Sequence, residues 1–138
     1  MVYTTEIILQ SKGHTDIHDI TDQVARAVGD SGLKDGLATI FTPSSTSALT
    51  TVEYEPGAVA DLKRALDEIA PPNREYQHNS KWGDNNGVAH LRAALIGPSI
   101  TVPVAKSKLS LGTWQQIIFM DFDNRPRQRR LMIQCVGE

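Results

Sequence analysis

The chain has 138 residues, with 14 Lys and Arg against 16 Asp and Glu, a formal net charge of −2 and 40% apolar residues. That length suits one domain burying roughly two-thirds of its unfolded surface, and the near-neutral balance excludes the electrostatic footprint of a general nucleic-acid binder. No apolar run approaches the roughly 18 residues of a membrane span, and the opening MVYTTEIILQSK lacks signal-peptide anatomy. No nucleic acid, no membrane and a cytoplasmic location are therefore expected. The single Cys135 has no partner for an internal disulfide and falls in the apolar alternation of the last strand, the place of a buried, inert thiol.

Residues 3–10 read as a strand with Thr5, Ile7 and Leu9 on one face. Thr21 is placed to cap a short helix carrying Val24, Ala27 and Val28, which stops at Gly29 and Gly32. Residues 37–41 form a short apolar strand, and the β-branched 50–54 follows as another, expected to pair nearby. The clearest helix is 57–70: Pro56 suits its first turn, Val59, Leu62, Leu66 and Ile69 recur at intervals of three and four, and Pro71-Pro72 ends it. A second helix over 88–96 puts Leu91 and Leu95 on one face and stops at Gly97-Pro98.

From Ser99 the chain reads as strands over 100–104, 114–122 and 129–136. Apolar residues at both parities of 114–122 predict a strand covered on both faces. The turn cluster 123–126 predicts an antiparallel hairpin joining the last two. The whole is a single α+β domain over 1–138, dominated by a mostly antiparallel β-sandwich with two or three short helices.

Polar residues concentrate in 74–90, REYQHNSKWGDNNGVAH, where His78, Asp84 and His90 stand out. If 84–86 leads into a helix, a loop can fold His78 back over its first turn, and Asn86 and His90, four apart, share a face. Such a group could bind a divalent metal, zinc or magnesium, or do acid–base work near neutral pH. An ordinary turn and helix cap uses the same residues, and no compact metal motif is present. His14 and His18 stand alone and read as surface or structural. Residues 42–47 hold five hydroxyls around Pro43, able to offer hydroxyls and N–H groups to a phosphate or simply to build a turn. Glu53 needs a partner if it faces inward. Gln115 follows Gly112-Thr113-Trp114, where an exposed amide beside an aromatic can hold a ligand. Arg125, Arg127, Arg129 and Arg130 form the one basic cluster, a solvated tip or an anion or subunit contact, without the aromatic platform that nucleic acid requires.

Together these segments resemble the YjbQ-like family, also called the secondary thiamine-phosphate synthase family, in its archaeal type. The matching pieces keep their order: 45–53 ending at Glu53, Tyr76-Gln77-His78, Asp84, Asn86-Gly87, His90, Leu95-Ile96-Gly97, Val102-Pro103-Val104, Gly112-Thr113-Trp114-Gln115 and Arg130. The resemblance implies a β-sandwich domain assembled as a homotrimer, with Glu53, His78, Asp84, Asn86, His90 and Gln115 as site positions. It also implies an enzyme acting on a small phosphorylated substrate: thiamine-phosphate synthesis joins a pyrimidine diphosphate to a thiazole phosphate and releases pyrophosphate. His78, Asp84 and His90 would hold a divalent metal, with no organic cofactor. Ser45, Thr46 and Arg130 would meet phosphate. A non-catalytic metal- or ligand-binding trimer is the alternative. Ser44 and Val88 stand where many relatives carry histidines, and Ser107 where glycine is usual, so a three-histidine metal site is not expected here.

Overall fold

Strict alternation along β1 (Val2–Ser11) buries Ile7 and Leu9 and leaves their neighbours in solvent. The computed structural model describes residues 1–138 and pairs β1 antiparallel with β8 (Arg127–Gly137) over its whole length, from Val2 opposite Val136 to Ser11 opposite Arg127. β8 pairs in turn with β3 (Gly36–Phe41), β3 with β5 (Ser99–Ala105), and β5 with the short β6 (Lys108–Leu109), giving an antiparallel five-stranded sheet. A second antiparallel sheet holds β2 (Asp16–Asp19), β7 (Gln116–Asp121) and β4 (Ser47–Val52) in that order.

Between the sheets lies the main core, with Ile7, Leu9, Ala38, Ile40, Val102, Val104, Leu131, Ile133 and Cys135 on one side and Leu49, Ile117 and Phe119 on the other. Helix α1 (Thr21–Ser31) closes it with Val24, Ala27 and Val28. The opposite face of the three-stranded sheet carries a second core, where Ala48, Ile118, Met120 and Phe122 meet Leu66 of α2 (Pro56–Ile69) and Ala89 and Ala93 of α4 (Gly87–Ile96). Ile117 to Asp121 are therefore all buried, as the mixed parity of 114–122 requires of a strand walled on both sides. Five-stranded sheet, three-stranded sheet and helices make three layers. None of the helices is long and apolar enough to cross a membrane.

Several local expectations are corrected. The last two long strands are not a hairpin: β7 and β8 belong to different sheets, and 122–126 carries the chain from one to the other. The fourth strand starts at Ser47 and pairs with the distant β7. Thr21 does not cap α1. It is the first helical residue, its hydroxyl donating to Asp19 and accepting from the Ile117 N–H. In α4 the buried face is Ala89, Arg92 and Ala93, while Leu95 is exposed. A fourth helix, α3 (Gln77–Trp82), and strands β2 and β6 carried no periodic signal because each is six residues or shorter. Helix α2 is as expected within a residue, with the Glu55 side chain accepting from the Gly57 and Ala58 N–H groups and Pro56 in the first turn.

Four connections change layer at one end of the sandwich: 12–15, 42–46, 97–98 and 122–126. They are tied to one another and to β4 by backbone hydrogen bonds from His14 N to Asp123 O, Thr42 N to Pro98 O, Leu49 N to Gly97 O and Phe122 N to Thr46 O. Gly13 makes this crowding possible. It sits at φ +74, and a Cβ there would meet the Asp123 and Arg125 carbonyl oxygens at 2.5 and 2.8 Å.

Candidate functional site

The polar residues of 74–90 are brought to this end by α3 and α4. Gly83 ends α3 at φ +69 and Asn85 turns the chain again at φ +54, so α3 folds back across the first turn of α4. Asn79 of α3 accepts the Gly87 N–H of α4 at 2.8 Å, and Gly87 lies so close to Tyr76 that a Cβ would approach its side chain to 2.7 Å. Asn79 thus caps α4 from outside the 84–87 stretch, which could itself have read as an ordinary turn and helix cap. The result stacks His78 on His90, ring centroids 4.4 Å apart and tilted by 38°.

Relieved of capping, Asn86 points its side chain inward and donates to Asp123 at 3.4 Å. Its Oδ1 is buried without a partner. So is His78 Nδ1: Asp84 Oδ1 lies 3.5 Å away, too long and misaligned for a hydrogen bond, and accepts instead from the Asn86 N–H at 3.1 Å. His90 faces the hydroxyl segment across a surface hollow lined by Ser44, Ser45, Ser47, Ala93, Ala94 and Pro98. Ser45 there is exposed.

Behind this surface is a closed ionic network. Arg129 grips Asp121 with Nε and Nη2 at 2.7 and 2.9 Å and donates to Ser44 and Thr46 at 3.0 and 2.9 Å. Asp123 accepts from Thr46, Arg127 and the Asn124 N–H. Burial pushes the Asp123 carboxyl up, but these donors more than offset it and hold it below the usual carboxylate range. Hydrogen bonds to the Asp121 carboxylate raise the Arg129 guanidinium further, against burial. Burial also pushes the Cys135 thiol up, in keeping with an inert core sulfur.

Thr46 is consumed by this network and is not free to meet a phosphate. Arg130 is displaced by strand parity: it lies on the outer face of β8, 58% exposed and paired with Glu6, while Arg129 reaches the hydroxyl segment. Glu53 is exposed just beyond β4 and needs no buried partner. Gln115 donates to Thr51 and accepts from the Gly112 N–H, folding its own turn. Both lie at the other end of the β4–β7 pair, a strand length of roughly 17 Å, at about 3.3 Å per residue, beyond Ser47, which lines the His90 hollow. In one chain the six expected positions therefore fall into two groups. Nor do His78, Asp84 and His90 complete a metal shell: no three His, Cys, Asp or Glu side chains of the chain are grouped to hold an ion. Asn79, Arg92, Asp121 and Asp123 were not anticipated, and Arg129 was named only as one member of the basic cluster. Parity carried the signal for Arg129, which shares its phase with Leu131, Ile133 and Cys135.

Residues 5–138 match the family model described as UPF0047 protein YjbQ-like. A UPF0047 protein from Archaeoglobus fulgidus is 40% identical over 131 residues, covering 95% of this chain and 99% of that one. A second, from Methanothermobacter thermautotrophicus, is 38% identical over 137 residues, 99% of this chain and 94% of the relative. The crystal structure of a YbjQ-like protein of unknown function from Sulfolobus solfataricus superposes with a TM-score of 0.95 at 35% identity, covering 100% of this chain and 99% of the other. With fold and motif order in agreement along its length, the chain belongs to the UPF0047 YjbQ-like protein family.

Proposed function

We propose that this chain is a small homotrimeric enzyme that acts on a phosphorylated small molecule at the histidine pair, in the manner of a thiamine-phosphate synthase. The observation that carries the reading is the contact of His78 with His90 beside two buried polar atoms, His78 Nδ1 and Asn86 Oδ1, that lack partners. Unpaired buried donors and acceptors are costly, and a bound ligand would satisfy them. When a diphosphate leaves, the protein must stabilise growing negative charge. Arg127 and Arg129 are already neutralised by Asp123 and Asp121, so that task falls to the imidazoles and to the free Ser45 hydroxyl. His90 would donate a proton to the departing oxygen, and His78 would hold the anion. No step is routed through a metal, because one chain supplies no complete set of ligands.

Glu53 and Gln115 would enter from a neighbouring copy. The outer face of the five-stranded sheet supports self-association: Val2, Val136, Leu37 and Pro103 form one exposed apolar row across four strands. The alternative, a binding trimer without turnover, draws on the self-satisfied Arg129 network, whose groups offer nothing to a substrate. Thiamine-phosphate formation from the two phosphorylated precursors, measured for the wild type and His90→Ala, separates the two. Turnover that falls at least 100-fold in a folded variant, from a particle three times the 15.2 kDa chain mass, supports the enzyme. A trimer without turnover in the wild type supports the binding module, and a monomer contradicts both.

A further inference from the structure

A cavity of about 210 Å³ opens between α2, α4 and the 12–15 connection, lined by His14, Thr15, Lys63, Asp67, Arg92 and Phe122, with Pro72 and Val88 completing its walls. Arg92 is the feature that sets it apart. Its side chain is 7% exposed and held from three sides: Nε and Nη2 donate to the Ala70 carbonyl at 3.0 and 2.8 Å, Nη2 to Asp67 at 2.9 Å and Nη1 to Thr15 Oγ1 at 2.9 Å. Of the five N–H donors of a guanidinium, one on Nη1 is left over. Thr15 accepts from Arg92, so its own hydroxyl hydrogen is also free. Three consecutive left-handed residues, Gly13, His14 and Thr15 at φ 74, 54 and 63, deliver that hydroxyl, a conformation a β-branched residue rarely adopts. Neither Lys63 nor the His14 ring has a side-chain partner, and the one carboxylate on the wall, Asp67, is already bound to Arg92.

The walls thus offer several donors against a single carboxylate, Asp67, whose Oδ1 is taken by Arg92. Arg92 and Lys63 against Asp67 leave a net positive charge before His14 is counted. We infer that this cavity is an anion site that takes a phosphate group, with Arg92 and Thr15 as its fixed donors and Lys63 as its mobile one. It does not rest on the enzymatic reading. Arg92 and His90 are two apart on α4, about 200° around the helix, so the cavity and the histidine pair lie on different faces.

The test is a titration of the full chain with inorganic phosphate at constant ionic strength, followed by amide chemical shifts. Saturable shifts at His14, Thr15 and Val88 are expected, with Kd raised about tenfold in Lys63→Gln for the loss of one charge-assisted bond and unchanged in His90→Ala. Lys63 is exposed, so that variant folds. Arg92→Lys, if it folds, weakens binding further. Non-saturable shifts, equal affinity in Lys63→Gln, or shifts confined to 44–47 and lost in His90→Ala overturn the site. A second titration uses glycerol phosphate. Tighter binding assigns the site to a phosphate monoester whose carbons rest on Phe122 and Val88, and equal or weaker binding assigns it to free phosphate.

Discussion

His78 and His90 are twelve residues apart in sequence yet stack ring on ring at 4.4 Å, and the bond from Gly87 N to Asn79 Oδ1 is what holds their helices in that relation. Asn79→Ala removes this cap and is expected to cost about 1 kcal/mol. It should also shift the ring signals of both histidines, because α3 loses its tie to α4. Urea denaturation and histidine ring NMR check the two halves, and unaltered ring signals would show that the stacking has another cause.

The two adjacent arginines of β8 should behave oppositely. Arg129→Leu leaves the fully buried Asp121 without its cation, while Asp123 keeps Arg127, and is expected to cost about 3–5 kcal/mol. Arg130→Leu removes an exposed pair with Glu6 and is expected to cost no more than about 1 kcal/mol. Thermal melts of the two variants side by side are sufficient; similar losses would contradict the assignment of Arg129 to the interior.

Acid should destabilise the fold in a defined window. Asp123 and Asp16 both sit below the usual carboxylate range despite burial, Asp123 through the Asn124 N–H, Thr46 and Arg127, and Asp16 through the Lys12 N–H and His18. A depressed folded pKa adds stability that is fully present above the unfolded value near 3.9 and is lost as pH falls through the folded one. Urea midpoints should hold between pH 7 and 5, then drop below about pH 4. The drop should be shallower in Asp123→Asn, and a midpoint that rises on acidification would reverse the sign.

The longer strands, the α2 helix and the two-sided burial of 117–121 were legible because each rests on a period that one short segment displays. The path between layers was not. A turn cluster such as 123–126 looks the same whether it closes a hairpin or crosses a sandwich, and only the pairing of β7 with β2 and β4 decides. The folding of His78 onto His90 was legible from the turn residues between them. The separation of Glu53 and Gln115 from that pair was not, since nothing near either residue says which end of a sheet it occupies. Arg129 could have been preferred to Arg130 from parity alone.

Gly13→Ala tests the crowded end directly. A methyl group there meets two carbonyl oxygens at a backbone angle suited to glycine, and a strained position of this kind costs about 1–3 kcal/mol. Loss of stability by denaturation should accompany weaker phosphate binding at the Arg92 cavity, since Gly13 places Thr15. Stability equal to the wild type would show that the loop adjusts freely.

Dialysis against EDTA should leave the melting temperature of the purified protein within about 1 °C, because His78, Asp84 and His90 do not complete a metal shell in one chain. A fall of several degrees, restored by zinc or magnesium, would show a metal bound to the folded state.

The most direct measurement uses the four histidines of the chain. His78 and His90 form the proposed site, His14 lines the Arg92 cavity, and His18 is paired with Asp16 at 2.9 Å. Ring carbon–proton correlations recorded while thiazole phosphate is titrated into the full chain should show His78 and His90 moving together and saturating, with His18 still. A titration in which neither His78 nor His90 moves would contradict the histidine pair as the place where a phosphorylated molecule binds.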